Sequence, residues 1–142
     1  MQVFLCTVGD FSIAIPMDSI SSLYLHAKNE HDNGLHDRMV MQREEQTFFS
    51  LLHFFNLSHE NIRHCVILKN PDGADNKIIL MITEVECEKN IPDNEIYPVP
   101  GSLKNMQFSL IFNGMQFDSD GKLVLLLNPG QIEQYTQRKL EI

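Results

Sequence analysis

The sequence predicts a mainly β protein: two interlocked five-stranded barrels with short helical turns between the strands. Three observations predict it. Apolar segments come as some eight to ten short runs in two groups, too short for helices of ordinary length. Turn sequences punctuate them, with Gly9-Asp10, Asn70-Pro71-Asp72-Gly73 and Asp118-Ser119-Asp120-Gly121 as the clearest. Finally, Ile78 to Ile82 is an unbroken apolar run in which three of five residues are β-branched, the pattern of a strand buried on both faces.

Taken in order, Val3 to Val8 and Phe11 to Ile15 flank Gly9-Asp10 and form a β-hairpin ended by Pro16. In its second strand Phe11, Ile13 and Ile15 share one face and Ser12 and Ala14 the other. Asp18 then caps a helical turn in which Met17, Ile20 and either Leu23 or Tyr24 recur at helical spacing. The polar stretch 26–38 is an exposed loop. Val40 to Arg43 and Thr47 to Phe49 form two short strands, and Ser50 caps a helical turn carrying Leu51, Leu52 and Phe55. Cys65 to Leu68 and Ile78 to Ile82 make a longer hairpin, with the latter run central in the second barrel.

From Thr83 the pattern alternates strictly, so Thr83, Val85 and Cys87 face one way and Glu84, Glu86 and Glu88 show a row of carboxylates to water. Pro92, Pro98 and Pro100 hold the following segment in a turn and an extended run. Phe108, Leu110 and Phe112 alternate with Ser109 and Ile111 as a further strand. Lys122 to Leu127 is the last strand, and Asn128-Pro129-Gly130 opens a final helix with Ile132 and Tyr135 inward.

Composition excludes several functions. The chain of 142 residues carries a formal charge of -8, which opposes unaided binding to nucleic acid or to an anionic membrane. No apolar run approaches the roughly 18 residues of a membrane span, and no secretory pattern opens the sequence, so a cytoplasmic protein is expected. Cys6, Cys65 and Cys87 sit in apolar strand-like runs and read as reduced, buried thiols. A catalytic cysteine needs an exposed electropositive setting, and His64 beside Cys65 points to the opposite face of a strand. His26, His31 and His36, with Asp32 and Asp37, match no zinc spacing, and no phosphate-cradling glycine loop or nucleophile elbow is present. No cofactor, metal or catalytic residue is therefore expected.

The order of these motifs resembles the CheW-like domain, the coupling module of bacterial chemotaxis arrays, over nearly the whole chain. The family's A-L-P-V-x-x-V-x-E-I is similar to Ala14-Ile15-Pro16-Met17-Asp18-Ser19-Ile20-Ser21-Ser22-Leu23, with Ser22 in place of the acidic residue. Its P-V-V-D-L looks like Thr47-Phe48-Phe49-Ser50-Leu51, its V-D like Thr83-Glu84-Val85, and its L-L-L-D like Leu125-Leu126-Leu127-Asn128. The N-L-R-G that precedes P-V-V-D-L is Val40-Met41-Gln42-Arg43 here, so Gln42 stands where the family has arginine.

The resemblance implies one CheW-like domain over residues 1–142, made of two SH3-like barrel subdomains. It also implies a non-catalytic scaffold that links the regulatory domain of a CheA-type histidine kinase to the cytoplasmic tip of a chemoreceptor, without nucleic acid or membrane insertion. In that family the receptor tip lies along the groove between the barrels, and the kinase domain meets a barrel end. Contact residues implied here are Met17, Ile20, Val40, Met41, Gln42 and Arg43, each of which also has a plain core reading. A small β-barrel adaptor outside chemotaxis and a small hydrolase are the rival readings. If folding needs no metal, thermal melting with and without excess chelator will give the same midpoint; a large fall with chelator would show that metal binding energy contributes to folding.

Overall fold

The computed structural model describes residues 1–25, 39–43, 46–57, 64–69, 77–99 and 107–140. The loop expected at 26–38, with its three histidines, lies outside the described residues, as do the turns at Glu44-Glu45 and 70–76. Among the described residues ten strands form two five-stranded sheets. The chain builds β1 (Gln2–Val8) and β2 (Phe11–Pro16), then the whole second sheet: β3 (Ile20–Leu25), β4 (Val40–Arg43), β5 (Gln46–Ser50), β6 (His64–Leu68) and β7 (Lys77–Ile82). It then returns for β8 (Glu84–Asn90), β9 (Phe112–Phe117) and β10 (Leu123–Leu127). Two helices follow particular strands: α1 (Leu51–Phe54) leaves β5 and α2 (Pro129–Leu140) leaves β10.

The sheets run β8-β1-β2-β10-β9 and β3-β6-β7-β5-β4, which places β7 in the middle of the second, as its apolar run requires. Both sheets have the SH3-like character expected from the sequence, and both repeat one scheme. Along each order the pairings are antiparallel, antiparallel, parallel and antiparallel, the parallel pairs being β2 with β10 and β7 with β5. In each barrel one strand of the parallel pair, β5 or β10, ends at a helix cap. Ser50 Oγ accepts from the His53 amide at 3.1 Å to start α1, and Asn128 Oδ1 accepts from the Gly130 amide at 3.1 Å to start α2. The first barrel is thus a circular permutation of the second, split by its insertion.

Period-two alternation sorts the first sheet between two cores. Ala14, Val124 and Leu126 join Val3, Leu5 and Ile91 in a small core, against which Ile96 packs. Ile13, Ile15, Leu125 and Leu127 face the other way into the main core, where they meet Phe49, Leu51, Leu80 and Ile82 of the second barrel. Aromatic rings fill the junction. Phe55 stacks on Phe11 with centroids 4.2 Å apart, and Phe54 lies edge-on to Phe112 and Tyr135 at 6.3 and 5.8 Å. The two-residue turn between β1 and β2 needs Gly9: its φ is +62°, and an added Cβ would sit 2.5 Å from Leu57 Cδ1.

Four sequence expectations change. The run from Ile78 through Glu88 is not one strand: the chain bends at Thr83 and crosses between sheets, where the Thr83 amide donates to Thr7 O and Thr83 Oγ1 accepts from the Gly9 amide, both at 3.0 Å. A β-bulge in β8 between the partners of Leu5 and Cys6 then breaks the alternation. Glu84 pairs with Thr7 and Glu88 with Phe4, residues on opposite faces of β1, so the carboxylates do not form one row. Asp18 provides no side-chain cap; Met17–Ser19 is a single 3-10 turn braced by Ser19 Oγ donating to Pro16 O at 2.6 Å, and Ile20 and Leu23 belong to β3. Gln107–Leu110 is also a 3-10 turn rather than strand, leaving Leu110 exposed and Ile111 buried.

Leu80 is fully buried between Phe49 and Val66 on the central strand. Leu80→Ala is expected to lower unfolding free energy by about 2–5 kcal/mol in a urea titration. A loss under about 0.5 kcal/mol would place the side chain outside a packed core.

Candidate functional site

The sequence-derived contact residues fall at two separate places. Met17 is half-buried in the 3-10 turn between barrels, and Ile20 opens β3, half-buried against the main core and paired with Leu68. Val40 to Arg43 form β4, at the opposite edge of the second sheet with β6, β7 and β5 between. Val40 pairs with Phe49 and packs on the core, which favours its structural reading. Met41 pairs with Phe48 and Arg43 with Gln46; the side chains of both lie outside the described residues.

Gln42 is exposed, and it is not on a bare edge. Helix α2 passes beside it, so that Gln42, Thr47 and Ile78 line a mixed groove of about 220 Å³ with Glu133, Thr136, Gln137 and Leu140. The helix lies there because Ile132, Tyr135 and Thr136 form its buried stripe, with Tyr135 Oη donating to Met39 Sδ at 3.5 Å. Nothing in the local sequence of β4 announces this neighbour, which comes from the far end of the chain.

Sequence reasoning missed a second groove, on the first barrel. Phe11, Val99, Phe112, Met115, Leu123 and Leu125 line a space of about 300 Å³, flanked by Asp10 and Lys122. Leu123 is 41% exposed and its cross-strand partner Phe117 is 54% exposed, so apolar surface continues past the groove. The available signal was the continuous apolar run Leu123 to Leu127, whose two faces both need covering.

The cysteines separate by environment. Cys6 and Cys65 are buried as expected, whereas Cys87 is exposed, because β8 is an edge strand and its residues lack a second neighbour. Burial, with nearby Glu86 adding to it, pushes the Cys6 thiol up to about 12, the reverse of an activated nucleophile. His64 is buried with Nε2 3.6 Å from Glu84 Oε2, bracing the second barrel against the crossing rather than facing Cys65's side of β6. Among the described residues no three His, Cys, Asp or Glu side chains are grouped as metal ligands would be. No helix among them is long and apolar enough to cross a membrane.

The described residues thus form two small barrels joined through an aromatic junction, with a groove on each. Among solved structures the chain is similar to the scaffolding protein TtCheW from Thermoanaerobacter tengcongensis, with a TM-score of 0.63 and 11% identity over 89% of this chain and 88% of that one. The fold is therefore CheW-like. No family model matches the sequence, and no curated protein matches it.

Cysteine chemistry tests the burial assignments. Iodoacetamide is expected to alkylate Cys87 in the native protein and Cys6 only after unfolding, as read by peptide mass spectrometry. Because the Cys6 thiol titrates from an ordinary 9.0 to about 12 on folding, its burial contributes full stability below pH 9. That contribution is lost progressively as pH rises from 9 toward 12, so the melting midpoint should fall over this window and a Cys6→Ala variant should lose that part of the slope.

Proposed function

We propose that this chain is a non-catalytic coupling scaffold of a bacterial chemosensory array, working in the cytoplasm as one CheW-like module of two barrels. The observation that carries the proposal is the shared two-barrel fold, matched over 89% of this chain to a protein described as a scaffold. The order of the apolar motifs from Ala14 to Asn128 supports it independently of any single residue. Its partners are the regulatory domain of a CheA-type histidine kinase and, with a weaker hold, the cytoplasmic tip of a chemoreceptor.

The weaker hold follows from Gln42. A glutamine cannot supply the charged bidentate fork of the arginine that the family carries in this place, and Ser22 removes a carboxylate that could orient it. Losing one charge-assisted hydrogen bond costs about 1.5–3 kcal/mol, or about tenfold or more in affinity. Met17, Ile20 and Met41 keep their apolar character and remain the proposed contacts, with Arg43 as a neighbouring cation, while Val40 is assigned to the core. Apolar contacts of this size suit the centre of a small interface with a polar rim.

Calorimetric titration of a CheA-type regulatory domain and of a receptor-tip fragment against wild type and Gln42→Arg checks this. The expected result is tighter binding to the kinase domain than to the tip, with the substitution strengthening the tip about tenfold. Strong wild-type binding to the tip that the substitution leaves unchanged would pass the role to Arg43 or another residue. Binding to neither partner would favour an adaptor outside chemotaxis.

A further inference from the structure

Met39 stands where three elements meet. Its carbonyl accepts from the Ser50 amide at 2.9 Å, beside the cap of α1, and the chain runs directly from it into β4. Its thioether accepts from Tyr135 Oη of α2 at 3.5 Å, a contact between residues 96 apart in sequence. Tyr135 is held firmly in that place. Its ring is buried against Phe49 and Phe54, with centroids 5.6 and 5.8 Å away, and Lys139 Nζ lies over it at 5.5 Å. Met39 is half-buried against the main core, whereas Met81 of β7 is fully buried.

A thioether is a weak acceptor, and it is also the group in this contact that peroxide oxidises. A sulfur lone pair attacks one oxygen of hydrogen peroxide; the S–O bond forms as the O–O bond breaks, and the attacked oxygen passes its proton to the departing hydroxide, which leaves as water. Sulfur is oxidised by two electrons and peroxide is reduced. The sulfoxide oxygen is polar and needs a donor, which is why this lesion ordinarily disrupts a core. At Met39 the donor is already in place. The flexible side chain turns its new oxygen to the Tyr135 hydroxyl, and a hydroxyl donating to oxygen sits about 2.5–3.0 Å from it. With the bent angle at a sulfoxide oxygen, that leaves sulfur and hydroxyl close to their present 3.5 Å, so neither chain has to move. A weak acceptor is exchanged for a strong one.

We propose that Met39 and Tyr135 form a redox-sensitive latch: oxidation of Met39 to its sulfoxide tightens the hold of α2 on the start of β4. The groove beside Gln42 is walled by both elements, with Gln42 from one side and Glu133, Thr136 and Gln137 from the other, so the latch stiffens that groove. Two thiols of a reductase reverse the change, becoming a disulfide as the sulfoxide oxygen leaves in water. The latch does not rest on the coupling reading; loss of kinase-domain binding would leave it intact, and its own failure would leave that reading intact.

The test treats the full chain with hydrogen peroxide and compares wild type, Met39→Leu and Tyr135→Phe. Met39→Leu, in which the other methionines still oxidise, sets the baseline. Peptide mass spectrometry is expected to find Met39 sulfoxide in the folded protein, with Met81 oxidised only after unfolding. Amide exchange in α2 should slow about threefold or more on oxidation of wild type and stay unchanged in Met39→Leu. In Tyr135→Phe the same oxidation leaves the sulfoxide without its donor, and the melting midpoint should fall by about 3 °C or more beyond any change in wild type. Should Tyr135→Phe not fold, Met39→Gln serves in its place: it sets a permanent carbonyl acceptor near the hydroxyl and should slow exchange in α2 without peroxide. Met39 that stays reduced in the folded protein, faster exchange in α2 of oxidised wild type or of Met39→Gln, or an equal response of wild type and Tyr135→Phe would each overturn the proposal.

Discussion

A sheet that is apolar on both faces needs two covers, and the fold depends on how this chain supplies the second one. In the first barrel Ala14, Val124 and Leu126 close on the small core, while Ile13, Ile15, Leu125 and Leu127 face the main core shared with the second barrel. Each barrel hands its helix to the other: α1 carries Phe54 and Phe55 to Phe11 and Phe112, and α2 carries Tyr135 to Phe49 and Met39. Aromatic pairs of this geometry add about 0.5–1.5 kcal/mol each beyond the area they bury. The exchange makes neither outer face sufficient alone, which ties the orientation of one barrel to the packing of the other.

The crossing at Thr83 serves the same end on the covalent side. The second barrel is completed before the first, so the chain must return, and the return is held by Thr7, Gly9 and the contact of His64 with Glu84. Immediately beyond it the bulge in β8 turns successive glutamates to different sides. An edge strand that carries charge and a bulge resists pairing with another chain's edge. That makes β8 a poor place for strand addition and leaves the grooves as the better binding surfaces.

The two grooves occupy corresponding faces and differ in what remains open. Helix α2 borders one, a mixed space beside Gln42; the other is lined mainly by apolar side chains of the first barrel. A module that binds different partners at its two barrels needs this kind of asymmetry, because identical faces would compete for the same partner.

Period two and turn chemistry made most strands legible in the sequence. Ile78 to Ile82, the Gly9-Asp10 hairpin, the Ser50 and Asn128 caps and the inward Ile132 and Tyr135 depend on local rules, and all appear where those rules put them. The family order of motifs carried the fold further than any one residue could. What the sequence could not decide were features set by distant partners. Thr83 reads as the next residue of a strand until Thr7 and Gly9 bind it; Cys87 reads as inward until β8 proves to be an edge. Leu123 sits in an apolar run that reads as core, yet it and its cross-strand partner Phe117 are exposed on the β9-β10 hairpin. Local pattern determined which residues could be buried, and tertiary packing decided which were, because the cover for each face comes from a segment remote in the chain.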